Sequence, residues 1–460
     1  MILWDYVKEK MIKNPSQTIG EGQGNMTYEE TVILVEEFAK KLEGEKTVCI
    51  LCRSEMFAAI ALLSCFAANV TAVPMSMRYG EEHCKRVLNT VDPSAIITDI
   101  YGDLEIVCLP YSSVEEDVRV NPALIMCTSG TTGTPKGVML SSENVLTNLK
   151  DICAYFDIRN DDTLLISRPI YHCSAITGEL LAGLVKGVRI IFCSGRLDAT
   201  DIMRQVEKNK VTVLCATPTV FSLLARLCSR YDTSSLKTLC ISGECMSASL
   251  ANRIAKTFAG TRIYHVYGLT EACPRVSYLP PELFEKYLGS VGVPLSSVSI
   301  KIVKADGDEA RIGEDGILWV KGKNVMLGYY NAPDLTDKVL RDGWLCTGDV
   351  AYMNADGMLY IKGRSDNMII RAGMNVYPAE IENALSEDRR VKEIMAYGKK
   401  CEDQSEKICL KITGDFSDVA EVKELCVKSL PAYAIPTHIE LVDSLPKNGS
   451  GKIIRGGNNV

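Results

Sequence analysis

Short apolar runs alternate with segments of helical periodicity over the first two-thirds of the chain. "TVCILC" (47–52), "SAIITD" (94–99), "VRIIFC" (188–193), "VTVLCATP" (211–218) and "LKTLCISG" (236–243) read as strands. Helical patterns stand between them, which predicts βαβ units and mainly parallel, doubly wound sheets covered on both faces. After Glu282 the texture changes to short β runs with Gly-rich turns, "VSIKIV", "GILWVKG" and "MNADGMLYIKG", the pattern of a small antiparallel β subdomain. From about Asn367 a compact α+β unit follows: a helix at "PAEIENALSE", strands at "VKEIMAYG" and "KICLKIT", and a helix at "DVAEVKELCVKSL". The predicted class is α/β, with a large N-terminal domain over residues 1–365 and a small mobile C-terminal domain over 366–460.

Composition agrees with a multidomain globular protein: 460 residues, 47% of them hydrophobic, with a formal net charge of −7. No basic tract stands out, which argues against nucleic acid as a partner. The uncharged stretch "MFAAIALLSCFAANVTAVPMSM" is long enough for a membrane span. It reads better as a buried helix ending near Ala68, a left-handed cap at Asn69 and a strand at "VTAVP". No signal peptide is expected ahead of the first periodic segment. The 18 cysteines lie largely in apolar runs, and the Cys49/Cys52 pair sits in strand context, so buried thiols and a reducing cytoplasm are expected. His83, His172, His265 and His438 are scattered and form no metal-ligand spacing.

"CTSGTTGTPKGVML" (127–140) carries the first chemistry. Thr128, Ser129, Thr131, Thr132 and Thr134 stand among Gly130, Gly133 and Gly137, with Lys136 after Pro135. Glycines let backbone N–H groups approach a ligand, and hydroxyls, N–H groups and one ammonium suit phosphate oxygens. The loop is not a Walker motif, which places Gly before the Lys and Ser or Thr after it. The alternative is a flexible turn between two strands. In "YGLTEA", Tyr267 and Gly268 precede Thr270 and Glu271 at a strand end: a ring that can stack on a base, a hydroxyl for phosphate and a carboxylate for Mg²⁺. "WLCTGDV" offers Asp349, whose carboxylate can accept from both ribose hydroxyls or simply serve a turn. "KGRSDNMIIRAGMNVYPAEIE" contributes Arg364, Asp366 and Gly373, and "PKNGSGK" ends on Lys452.

Together these motifs, in this order and over nearly the whole chain, resemble the acyl-adenylate-forming superfamily, in motif style the acyl-CoA synthetases. The resemblance implies two half-reactions: attack of a carboxylate on the α-phosphate of Mg-ATP, then attack of a thiol on the acyl-AMP after rotation of the small domain. It implies ATP, Mg²⁺ and CoA, or the phosphopantetheine arm of a carrier protein, as partners of a small carboxylic acid. By resemblance, Thr128 to Lys136 hold phosphates, and Lys452 bridges the acyl oxygen and the nucleotide. Thr270 contacts the α-phosphate and Glu271 holds Mg²⁺. Tyr267 stacks on adenine beside Gly268, with Ser242, Gly243 and Glu244 lining the base pocket. Asp349 and Arg364 take the ribose, Asp366 is the hinge, Gly373 clears the thiol tunnel, and His172 is a gate beside the acyl pocket. Ile317 and Ala372 stand where relatives often carry Glu and Gly.

Cys173 follows the gate, where amino-acid-activating relatives carry an Asp. A thiol pairs poorly with an ammonium, so an α-amino acid is disfavoured. Arg275, in "EACPRVS", lies near the distal acyl pocket by resemblance. It either binds a carboxylate or hydroxyl of the substrate or forms a structural salt bridge, for which Glu179 is the candidate partner. A carrier-protein ligase and a non-catalytic nucleotide-binding relative are the other readings.

Overall fold

The computed structural model describes residues 3–77, 80–109, 121–128, 135–193, 198–371, 374–400, 406–446 and 453. Two large mixed sheets carry most of the chain. In the nine-stranded sheet, Arg262–Tyr267, Thr238–Ile241, Val213–Ala216, Thr163–Ile166, Arg189–Phe192 and Thr18–Glu21 run parallel in that order. Antiparallel strands close both edges, Ser277–Leu279 and Val293–Pro294 on one side and Gly24–Thr27 on the other. The seven-stranded sheet has a parallel centre of Leu124–Thr128, Thr71–Pro74, Thr47–Ile50 and Ala95–Thr98. Its flanks are antiparallel: Lys136–Leu140 and Gly328–Tyr329 beyond the first of these, Glu105–Cys108 beyond the last.

Central parallel strands such as Thr47–Ile50, Thr71–Pro74, Val213–Ala216 and Thr238–Ile241 are buried along their whole length. Covering helices on both faces demand that, and it is why these strands read as continuous apolar runs rather than alternating ones. The long uncharged stretch folds as the helix Glu55–Ala68. Ser54 caps its first turn by accepting from the Phe57 N–H at 3.1 Å, and Asn69 ends it in the left-handed conformation (φ 57°). Met56 and Ala59 through Phe66 are buried between the helix Tyr28–Lys40 and the strand Thr71–Pro74. Each large aliphatic side chain so removed from water contributes about 1.5–3 kcal/mol. Core packing therefore accounts for the hydrophobicity, and among the described residues no helix is long and apolar enough to cross a membrane.

A five-stranded antiparallel sheet follows, containing Val298–Val303, Gly316–Gly322, Trp344–Met353 and Leu359–Arg364. Beyond it the chain forms the hairpin Ile369–Arg371/Met374–Val376 and a three-stranded sheet of Val391–Lys400, Glu406–Gly414 and His438–Leu441. The helices Pro378–Leu385 and Val419–Ser429 pack here, and residues from Ile369 onward close a hydrophobic cluster of their own. The architecture is thus a large sheet-rich N-terminal part and a smaller α+β C-terminal part. Strands Leu124–Thr128, Thr238–Ile241 and Arg262–Tyr267 each end at a motif singled out above, the edge where parallel sheets hold ligands.

Candidate active site

The strands Trp344–Met353 and Leu359–Arg364 pair antiparallel, with Asp349 directly opposite Arg364. Arg364 Nη1 stands 3.6 Å from Asp349 Oδ1 and donates to the Thr347 carbonyl at 2.8 Å. The same guanidinium reaches Asp366 through Nε at 3.3 Å and Nη2 at 3.4 Å. Gly348 lies beneath it at φ 72°, where a Cβ would come within 3.1 Å of Arg364 Nη2. The Tyr267 hydroxyl donates to Asp349 Oδ2, and burial together with that carboxylate holds the phenol well above its usual pKa. Tyr267, Asp349, Arg364 and Asp366 thus form one continuous polar group.

Gly268 follows Tyr267 because nothing larger fits: a Cβ there would sit 1.6 Å from the Pro274 carbonyl oxygen. The chain then turns through Thr270–Ala272, with Thr270 and Glu271 both half-buried. Glu271 Oε1 accepts from the Tyr329 hydroxyl at 2.9 Å. Lys136 Nζ lies 5.4 Å from the centre of the same Tyr329 ring. The short strand Gly328–Tyr329 pairs with Lys136–Leu140 and so carries Tyr329 to both residues. A hard carboxylate oxygen, a neighbouring hydroxyl at Thr270 and an ammonium suit Mg²⁺ bound through substrate phosphates; a magnesium held that way needs only one or two protein carboxylates.

At the end of Thr238–Ile241, two of the three expected base-pocket side chains are engaged elsewhere. Ser242 Oγ accepts from Arg168 Nη1 at 3.0 Å, and Glu244 accepts from the Thr219 N–H at 3.1 Å and hydroxyl at 2.6 Å. That second contact satisfies the first turn of the helix Pro218–Leu227. Gly243 is exposed at φ 96°, so the segment offers backbone rather than side chains.

His172 is half-buried against Tyr171, their ring centres 4.3 Å apart, and Cys173 behind it is buried. The helix that starts there passes into a π-helical turn, Ile176–Leu181. π turns are rare and concentrate at functional sites. Glu179 within it is fully buried, and its Oε1 accepts from Arg168 Nε at 2.9 Å and Nη2 at 2.6 Å. Burial raises the Glu179 pKa, while the charges of Arg168 and Arg275 oppose the rise. Arg275 is buried across from it, but the direct ion pair belongs to Arg168. Sequence reasoning missed Arg168; its one signal is a cation two residues after the strand Thr163–Ile166.

Ser129, Gly130, Thr131, Thr132, Gly133, Thr134, Gly373 and Lys452 lie outside the described residues, and Thr128 is described only as the last strand residue. The loop from Ser129 joins two antiparallel strands, Leu124–Thr128 and Lys136–Leu140. Among the described residues no group of His, Cys, Asp and Glu forms a metal site of its own.

The sequence profile described as AMP-binding enzyme matches residues 8–330, and that described as AMP-binding enzyme C-terminal domain matches 380–452. The chain belongs to the AMP-binding enzyme family. A long-chain-fatty-acid–CoA ligase of Haemophilus influenzae is 34% identical over 73% of this chain and 61% of its own length. The chain thus spans about three-fifths of that relative. A 2-succinylbenzoate–CoA ligase of Bacillus licheniformis is 31% identical over 90% of this chain and 89% of its own. Among solved structures, the O-succinylbenzoate coenzyme A synthetase of Bacillus subtilis in complex with ATP and magnesium ion superposes with a TM-score of 0.82 at 25% identity, covering 97% of this chain and 98% of that one. This member of the AMP-binding enzyme family carries a buried charge network of Arg168, Glu179 and Arg275 beside the Tyr267–Asp349–Arg364 group.

Proposed function

We propose that the chain is an AMP-forming acid–thiol ligase. It would activate a non-amino carboxylic acid as acyl-AMP at the expense of ATP and then transfer the acyl group to coenzyme A. The observation that carries the reading is the meeting of Lys136, Tyr329 and Glu271 on one side and Tyr267, Asp349 and Arg364 on the other, around the carboxyl end of the strand Arg262–Tyr267. Both reactants of the first step are anionic, so the site must place positive charge where negative charge accumulates. Mg²⁺, where bound, neutralises phosphate charge, and Glu271 is the residue to hold it. Lys136 faces the departing phosphates, Asp349 takes the ribose hydroxyls, and Thr270 donates to the α-phosphate. His172 closes the acyl side, and the buried thiol of Cys173 leaves an α-ammonium without a partner. The small domain would begin at 366 and turn about Asp366, whose carboxylate is held by Arg364. A reducing cytoplasm fits cysteines that are free throughout the described residues.

Lys452→Ala tests the reading. Acyl-AMP formation, followed by pyrophosphate exchange, should fall at least about 10²-fold, the scale of one lost oxyanion-type donor. Thioester formation from supplied acyl-AMP should survive. Equal damage to both half-reactions would overturn the assignment. Offering CoA and a phosphopantetheinylated carrier protein separately identifies the acceptor.

A further inference from the structure

Arg275 is placed with unusual care for a residue in a loop. Buried Asn148 donates to its carbonyl at 2.8 Å and accepts from its N–H at 3.1 Å, and buried Asn324 donates to the same carbonyl at 3.1 Å. The side chain enters the space beside the π turn. A Cβ on Gly178 would lie 2.8 Å from Arg275 Nη2, so that glycine makes room for the guanidinium head. Arg275 is 3% exposed, yet its Nε has no hydrogen-bond partner. Nor has Glu179 Oε2, because both bonds from Arg168 fall on Oε1.

The charges around this point do not balance. Arg168 and Arg275 are two buried guanidiniums facing one buried carboxylate, Glu179. The other groups against Arg275 are the Tyr155 phenol, which burial keeps protonated, and the thiols of Cys215 and Cys240 on neighbouring strands. A buried cation without a counter-charge is costly, and an arriving anion removes that cost.

We propose that Arg275 determines specificity in the acyl site: its guanidinium receives a second carboxylate at the far end of the acid, so that the substrates are short dicarboxylic acids, aliphatic or aryl. The proposal rests on the ligase reading above. The head of Arg275 against Gly178 limits length, and its charge selects the distal group. Neutral acids of the same shape would leave the cation buried with the Tyr155 hydroxyl but without a counter-charge, which is the stronger basis for discrimination.

The test is pyrophosphate exchange with matched pairs: glutarate, adipate and phthalate against their monoamides, with hexanoate and benzoate alongside. It is run on the wild type, Arg275→Ala and Gly178→Ala, with calorimetric binding of the same acids. In the wild type the best diacid should exceed its monoamide at least about thirtyfold in kcat/KM, the scale of a charge-assisted contact. In Arg275→Ala the ratio should fall below about threefold through a rise in the KM of the diacid. Gly178→Ala should give the same collapse, since the added methyl displaces only the end of a flexible side chain. That variant decides the matter where Arg275→Ala fails to fold. A wild type that prefers monoamides, or a diacid preference that survives Gly178→Ala with the fold intact, would overturn the assignment of Arg275. Arg275-dependent diacid binding without exchange would overturn the ligase reading and leave Arg275 as an anion site. Absence of both binding and exchange would overturn both.

Discussion

Asp349 and Arg364 meet across one pair of adjacent strands, the carboxylate buried and the guanidinium exposed, whereas Arg168, Glu179, Ser242 and Arg275 gather from four separate segments into a buried network. The first arrangement is local: a glycine-relieved turn and one cross-strand pair position it. The second depends on the whole nine-stranded sheet and the helix beside it. In the first, the guanidinium of Arg364 is open to solvent and offsets the buried Asp349 carboxylate; in the second, every charge is buried and bears directly on stability. Removing the carboxylate from the buried network should therefore be read out first in folding, and substitutions at Asp349 or Tyr329 first in activity.

The sharpest break in that contrast is Glu179→Ala. It leaves Arg168 and Arg275 buried without their carboxylate and should cost about 3–5 kcal/mol in denaturant unfolding. A loss below about 1 kcal/mol would show that the network is open to water. His265 gives the next largest effect. It lies in the strand beneath Tyr267, its Nδ1 2.6 Å from the Ser290 carbonyl, and burial lowers its pKa to about 4. Between 4 and the unfolded value near 6.5 the unfolded chain binds more protons. Stability should thus be present above pH 6.5 and decline as pH falls through this window, by about 3 kcal/mol in total. Urea titrations at stepped pH would show it, and His265→Asn should flatten the slope.

How readily each side could be read from sequence follows from the same contrast. "YGLTE", "WLCTGD" and "GRSD" carry Tyr267, Glu271, Asp349 and Arg364 in short motifs, because a strand end and the turn after it fix their geometry locally. The Asn69 cap and the buried strands were legible for the same reason. The hairpin Thr18–Thr27, which extends a sheet whose other strands begin far along the chain, had no local signal for its destination. Tyr329 reads as an ordinary apolar residue until pairing with Lys136–Leu140 brings it to Glu271. Glu179 was named as a partner for Arg275, but choosing between Arg168 and Arg275 requires the fold.

Two smaller effects refine the comparison on the nucleotide side. Asp349→Asn should reduce kcat/KM for ATP about 10- to 100-fold, the range for a lost charged hydrogen-bond acceptor, while unfolding free energy shifts by less than about 1 kcal/mol. A stability loss larger than the activity loss would place Asp349 with the structural charges. Tyr329→Phe removes only the hydroxyl that Glu271 accepts from. It should raise the Mg²⁺ concentration for half-maximal exchange a few-fold, about 1 kcal/mol, and leave the KM of the acid unchanged.

Gly178 has a consequence for how this chain can change over generations. A glycine codon becomes an alanine codon by one base substitution, and here the nearest atoms to the added methyl all belong to the guanidinium of Arg275. Replacing the backbone-bound Gly268 in the same way would collide with the Pro274 carbonyl and be lost to selection as a folding failure. One neighbourhood of the site is therefore open to inherited variation and the other is closed to it. If Arg275 selects the acid as proposed, a lineage would change its acids through position 178 in a single step and leave the Tyr267–Asp349–Arg364 group untouched.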